Sequence, residues 1–477
     1  MDDTPDTPDT ALTRAFRAQR DAALRDPMPT HARRIAMLDA LDAAVRRHGQ
    51  DWVDAISADF GHRAPFETRL LEWMPLLTEI AHLRRHLKRW MRPRSVAPNW
   101  NFLPGRAQLY PQPRGVVGVI GAWNYPLLLN LSPAVNAIAA GNRVMIKPSE
   151  HAPATAALMQ RVIAECFAAD EVVVVMGNAE LSAAFAALPF DHIVFTGSGR
   201  VGRKVMAAAS ANLTPVTLEL GGKSPAIVHD SFDMEDAADR IASAKFWNAG
   251  QTCIAPDYAL VPSAKIDTFA NHAMATISRR WPPASRADDY TRMIDAKARA
   301  RMQSLVDDAA AQGARILQAW ATDDARGYPP TLLLDGRPDM QVMQEEIFGP
   351  LLPVIGYDTL DDALGFVRER DRPLALYYFD HDAGRIDHVL ATTHAGGVTV
   401  NDCMVHFAQH RLPFGGIGGS GFGAYHGEAG FNALSHFKPV LRQSTLTARL
   451  LGRLAKPPYG PDSYRLLRLL VGRGRAG

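Results

Sequence analysis

A parallel-sheet α/β fold is predicted for this chain by three observations. Apolar runs rich in valine and isoleucine recur after residue 115, helix-period stretches separate them, and glycine-bearing turns lie between. Runs that are apolar throughout suit strands buried on both faces, and alternation with helices implies a covered parallel sheet. At 477 residues the chain is long enough for two or three domains, each with its own core. A formal charge of +2 provides no electrostatic footprint for a nucleic-acid partner. The three cysteines, Cys166, Cys253 and Cys403, are too few and too scattered for a disulfide framework, which predicts a reducing, cytoplasmic setting. No Cys/His cluster has zinc-ligand spacing, so no metal is expected.

The start of the chain is acidic and Pro-rich, without the basic residues and apolar run of a signal peptide, and reads as a frayed tail. No apolar run is long enough to span a bilayer. Residues 10–90 read as helical: Leu38, Leu41, Ala44 and Val45 recur at spacings of three and four, as do Leu70, Leu71, Met74, Leu77 and Ile80. Prolines break the pattern over residues 93–113, where alternating apolar residues predict an extended excursion. Strands follow at 116–120, 143–147, 171–176 and 192–196, with helices at 127–140 and from Pro153. A ligand site is then expected at the carboxyl ends of those strands.

A second α/β stretch runs from Lys223 to about residue 402. Strands are predicted at 226–228, 258–261, 314–317, 351–355 and 397–401, and helices at 233–247, 266–277 and 298–312. Residues 413–423 are so dense in glycine that an irregular loop is expected. From about Thr445 the leucines Leu450, Leu451, Leu454, Leu466, Leu467, Leu469 and Leu470 stand among arginines; such a basic amphipathic tail packs on its own protein, on a partner subunit or on a membrane surface.

The chemistry centres on Phe246-Trp247-Asn248-Ala249-Gly250-Gln251-Thr252-Cys253, one thiol beside small residues and two amide side chains. Three other segments accompany it: Gly121-Ala122-Trp123-Asn124-Tyr125-Pro126, Leu218-Glu219-Leu220-Gly221-Gly222-Lys223, and Glu345-Glu346-Ile347-Phe348-Gly349-Pro350. Gly197-Ser198-Gly199-Arg200-Val201-Gly202 matches G-x-G-x-x-G after a strand, and bare amides at a helix start attract phosphate. Glu219 lies where that motif would have its ribose-binding acid, but the match sits on a late strand rather than on the first βα turn.

With these motifs in this order, the chain resembles the NAD(P)-dependent aldehyde dehydrogenases over residues 14–446. The short N-terminus, the run Leu412-Pro413-Phe414-Gly415-Gly416-Ile417-Gly418-Gly419-Ser420-Gly421 and Ala424-Tyr425-His426-Gly427 resemble the class 3 branch, and within it the bacterial coniferyl aldehyde dehydrogenases. The resemblance implies a Rossmann-type cofactor domain over residues 1–92 and 114–221 and an α/β catalytic domain over 222–412. It also implies a small β oligomerisation element from 93–113 and 413–446, with 447–477 left as a basic tail, and a homodimer. It makes Cys253 the nucleophile, Asn124 with the Cys253 N–H the oxyanion donors, and Glu219 the base that hydrolyses the thioester. Acyl-transferring relatives generally lack that acid, so a free carboxylate product is implied, and the presence of Cys253 and Asn124 speaks against the further alternative of a non-catalytic family member.

For the cofactor the resemblance implies that Lys147 and Glu150 hold the adenosine ribose, and that Gly197, Ser198 and Gly202 form the phosphate turn. Glu346 would hold the nicotinamide ribose and Phe348 would pack near the ring. Glu150 would repel a 2′-phosphate, favouring NAD, with NADP use also known in the branch. Gly199 stands where many relatives have threonine, which implies a more flexible phosphate loop. Trp123, Tyr125, Trp247 and Phe407 are expected to flank an apolar tunnel for an aromatic, or a medium- to long-chain aliphatic, aldehyde.

Overall fold

The computed structural model describes residues 10–471, and the acidic start lies outside them. Helices Ala11–Arg25, His31–Arg47, Gly49–Phe60 and Met74–Trp90 fill the N-terminal region. The first two begin where the sequence provides a cap: the hydroxyls of Thr10 and Thr30 accept from the amides of Thr13 and Arg33. Leu38, Leu41, Ala44 and Val45 are buried on one stripe, as their spacing requires.

The second stripe needs correction. Leu77 and Ile80 are buried, but Leu70, Leu71 and Met74 are not; they line a cavity. Residues Arg69–Trp73 form a π turn, and Pro75 follows in the first turn of the next helix with no N–H to give to a preceding carbonyl. The wider turn shifts the helical phase, so a spacing that fits a regular helix no longer marks one face.

Strands β1 (Arg94–Val96) and β2 (Arg106–Pro113) pair antiparallel in the predicted excursion. Strands β3 (Val116–Ile120), β4 (Arg143–Lys147), β5 (Val172–Val174), β6 (His192–Thr196) and β7 (Val216–Glu219) form a parallel sheet in the order β7-β6-β3-β4-β5. A second sheet contains β8 (Pro225–Val228), β9 (Tyr258–Pro262), β10 (Arg315–Gln318), β11 (Thr331–Leu334), β12 (Leu351–Tyr357), β13 (Ala375–Phe379) and β14 (Gly397–Val400). Its order is β10-β11-β12-β9-β8-β13-β14, parallel except for β10. Every residue of β3, β6, β8, β9 and β13 is buried, the burial expected of strands covered on both faces.

The glycine-dense stretch is more regular than expected. It makes a short turn at Gly418–Ser420 and then strand β15 (Gly421–Phe422), which pairs antiparallel with β7 and sets Gly421 opposite Glu219. Gly421 has φ of 120°, and a Cβ there would overlap the carbonyl of Leu218. The glycines allow this close approach to the end of β7. Residues 413–426 thus stay beside the two large sheets, while β16 (Ser435–Arg442) pairs with β2 to complete the three-stranded sheet. The tail forms helices Thr445–Leu454 and Pro461–Val471, with Leu446, Leu467, Leu469 and Leu470 exposed. Among the described residues no helix is long and apolar enough to cross a membrane.

Replacing Gly421 by alanine should lower stability by about 1–3 kcal/mol, the usual cost of forcing a side chain into such a backbone. The midpoint of urea unfolding reads this directly; an unchanged midpoint would mean the β7–β15 contact is not needed.

Candidate active site

Parallel pairing puts the carboxyl ends of β3 to β7 on one edge, where loops can carry function. Asn124 lies in the loop after β3, Lys147 ends β4, Gly197 and Ser198 follow β6, and Glu219 ends β7. The second sheet approaches with the segments that precede β9 and β12, which carry Cys253 and Glu346 to Phe348. Residues from both line one cavity of about 210 Å³, among them Thr196, Glu219, Cys253 and Ile254. Leu70, Leu128, Trp247, Phe407, Phe414 and Tyr425 contribute to its apolar wall. Trp123 does not line it; the ring packs against Phe60 at 6.0 Å and Phe348 at 5.4 Å, so only Tyr125, Trp247 and Phe407 of the expected aromatic set face the cavity.

The thiol is presented by an unusual turn. Helix Met234–Phe246, capped by Asp233, ends in a turn where Asn248, Ala249 and Gly250 have φ of 52°, 50° and 71°. Left-handed non-glycine residues cost of order 1–3 kcal/mol each and persist only where surroundings hold them. Here the Asn248 N–H donates to Glu67 Oε2 at 2.9 Å, and its side-chain amide donates to the carbonyls of Asn124 and Gln251, both at 3.1 Å. Gln251 Nε2 donates to the carbonyls of Asn248 and Arg292, and its Oε1 accepts from the amide of Ile294. Asn124 Nδ2 donates in turn to the Gln251 carbonyl at 3.1 Å, linking the Asn124 loop to the turn that carries Cys253.

Burial dominates the electrostatics. Glu219 is 2 % exposed, and both of its carboxyl oxygens are buried without a partner. This burial raises its pKa well above the usual carboxylate range. The Cys253 thiol is pushed up to about 12, first by burial and then by the carboxylates of Glu346 and Glu219. Glu346 is raised to about 8 by burial and by Asp257, opposed by the Gly222 amide and the ammonium groups of Lys223 and Lys245. Burial thus disfavours the charged form of each of these three groups. A thiol and a carboxyl line one apolar cavity, with an amide bonded to the carbonyl two residues before the thiol, groups of the kinds used in covalent catalysis at a carbonyl followed by hydrolysis.

Comparison with known proteins agrees with that chemistry. The aldehyde dehydrogenase family pattern matches residues 2–440. This chain belongs to the aldehyde dehydrogenase family. It is 48% identical to a Pseudomonas aeruginosa protein named "Probable coniferyl aldehyde dehydrogenase", covering 96% of this chain and 95% of that one. It is also 38% identical to aldehyde dehydrogenase family 3 member A2 of Rattus norvegicus, over 94% of this chain and 90% of the other. A solved substrate-bound state of Staphylococcus aureus AldH superposes with a TM-score of 0.91 at 35% identity, covering 97% and 100% of the two chains. The enzyme is an NAD(P)-dependent oxidoreductase acting on aldehydes.

The strand ends of this aldehyde dehydrogenase carry groups of the kinds that suit a dinucleotide. Ser198 caps helix Gly199–Ser210, its Oγ accepting from the Val201 amide, so Gly199 opens a regular helix whose first turn faces the sheet edge. Gly202 lies where a Cβ would press on Leu220, so its bareness permits close helix–sheet packing. Lys147 is 1 % exposed, its Nζ donating to the Pro148 carbonyl at 2.7 Å, with Glu150 Oε2 at 3.9 Å. Glu346 Oε1 is buried without a partner, and its carboxyl occupies space that a side chain at Gly221 would fill. An unsatisfied acid, a helix start and a Lys/Glu pair are groups of the kinds that suit the riboses and phosphates of such a cofactor. Among the described residues no group of three or more His, Cys, Asp or Glu could hold a metal.

Sequence reading missed Arg63, Glu67 and Glu72, which hold these loops from behind. Their only mark in sequence is charge inside an otherwise helical stretch, which also describes a solvated face.

Because Glu346 raises the Cys253 pKa, Glu346→Gln should speed alkylation of Cys253 by iodoacetamide at pH 9, where the acid is ionised. Mass-spectrometric rates on both proteins test this, and equal rates would remove the coupling.

Proposed function

We propose that the enzyme converts an aromatic aldehyde of the coniferyl type to its carboxylate, with NAD as the preferred acceptor. The observation that carries this reading is the convergence of Cys253 and Glu219 on one apolar, aromatic-walled cavity, with the Asn124 amide bonded two residues from the thiol. Leucines in the same wall would also admit an aliphatic chain, but five aromatic residues, Tyr125, Trp247, Phe407, Phe414 and Tyr425, favour a planar ring. The name of the Pseudomonas aeruginosa relative supports the same choice.

In this reading Cys253 gives its proton to solvent water as the aldehyde enters, and Sγ bonds to the carbonyl carbon. The oxygen gains charge and is met by Asn124 Nδ2 and the Cys253 N–H, donors fixed before the reaction and therefore effective in a dry site. When bound, the nicotinamide dinucleotide would supply the acceptor for the hydride expelled from the substrate carbon. A thioester on Cys253 is left, and Glu219 takes a proton from water as that water attacks it and passes a proton to the departing sulfur, releasing the acid and the thiol. Lys147 and Glu150 would hold the adenosine ribose, the Gly197–Ser198 turn the phosphates and Glu346 the nicotinamide ribose, and Phe348 would pack near the ring.

We assign residues 1–92 and 114–221 to the cofactor domain and 222–412 to the catalytic domain. The sheet of β1, β2 and β16 is assigned to homodimer contact, since both outer strands leave an edge open. Three free cysteines suit a reducing cytoplasm.

Cys253→Ala should abolish NADH formation while NAD+ still binds. Glu219→Gln should keep a first burst of NADH and lose steady turnover; loss of NAD+ affinity alone would instead place Glu219 at the ribose. With its pKa raised, Glu219 is the active base only when ionised, so deacylation should fall as pH falls through that raised value, and the limb should vanish in Glu219→Gln. Glu150→Ala should shift the NAD/NADP preference towards NADP in initial-rate comparison. An unchanged ratio would exclude it. A screen of cinnamyl-type against medium-chain aldehydes decides the substrate: higher kcat/KM for the aliphatic series would overturn the aromatic reading.

A further inference from the structure

Behind Asn124 lies an ion pair with no part in the chemistry above. Arg63 and Glu72 are wholly buried and meet through Nη1 and Oε1 at 2.5 Å. The same Nη1 donates to the Asn124 carbonyl at 3.1 Å, and the guanidinium lies over the Tyr125 ring at 4.8 Å and the Phe60 ring at 5.2 Å. The other oxygen of Glu72 accepts from the amides of Leu127 at 2.8 Å and Leu128 at 3.1 Å, at the start of helix Leu128–Ala140, which has no side-chain cap of its own. The pair thus grips the loop at Asn124 and again just beyond it. Glu72 reaches inward from the π turn Arg69–Trp73, a distortion that often accompanies function.

A buried charge pair is seldom the most stable filling for a core, and this one leaves Arg63 Nε and Nη2 without partners. What a guanidinium–carboxylate pair adds is direction, because its donors and acceptors lie along set lines. The Asn124 carbonyl also accepts from Asn248 Nδ2, so Arg63 and the left-handed turn before Cys253 act on one oxygen.

We propose that Arg63 and Glu72 are positioning residues for the oxyanion donor: they fix the Asn124 loop so that its side-chain amide meets the carbonyl oxygen as Cys253 attacks. This rests on the reading of Asn124 as that donor.

The test is a double-mutant cycle on full-length enzyme, using the single-turnover rate of NADH formation per NAD+-binding site, so that unfolded protein does not count. Arg63→Lys keeps the charge and loses the fork, and Glu72→Gln keeps the amide acceptor and loses the charge. Either should slow NADH formation about ten- to hundredfold with NAD+ affinity unchanged, the scale of a small misplacement. Asn124→Ala should cost about 10²–10³-fold, and adding Arg63→Lys to it should cause no further loss. Losses that multiply, or an unchanged rate in both single variants, overturn the proposal. An unchanged rate in Asn124→Ala alone removes the oxyanion reading, and the proposal with it.

Discussion

A hydrogen bond of 3.1 Å from Asn124 Nδ2 to the Gln251 carbonyl links the carboxyl edge of one sheet to the amino edge of the other. Around it the remaining geometry follows. The left-handed residues at 248–250 bring the Gln251 carbonyl to that amide, and Glu67 compensates their strain by accepting the Asn248 N–H and the Thr291 hydroxyl. Gly250 allows the turn to lie against the Gly349 carbonyl, which links the thiol segment to the segment bearing Glu346 and Phe348. A side chain at that position would separate two parts of the site that share one wall.

Burial explains the chemical character of the site as much as position does. A thiol raised to about 12 and a carboxyl without partners are both reluctant to ionise in an apolar cavity. Fixed donors act most strongly where water is excluded. Glu346 belongs to the same balance, since its buried oxygen has no partner and its charge bears on Cys253.

Strands β3, β4 and β6 could be read to the residue because they are short apolar runs bounded by turn signals. Strand β7 carries the alternating Val216-Thr217-Leu218-Glu219 beside glycines, and β13 follows Pro373, so neither stood out although both lie within the sheets. The glycine-dense loop concealed β15, because its regularity comes from a partner strand rather than from its own side chains. Leu70, Leu71 and Met74 carry helical spacing whose meaning changes once Pro75 follows a π turn.

The sequence by itself determined the reactive groups and the order of the elements that carry them: a thiol at 253, an amide at 124, a carboxyl at 219 and a bare helix start after 197. The residue types are read straight from the chain, while their roles follow from the resemblance to the aldehyde dehydrogenases rather than from spacing. Tertiary structure alone decided that these distant segments meet and that Trp123 faces away from the cavity. It also set Arg63 and Glu72 behind Asn124 rather than in solvent. The physical reason is that burial, and with it the hydrogen bonds across the two sheet edges, depends on chain segments 127 and 181 residues apart, whose contact no local pattern encodes.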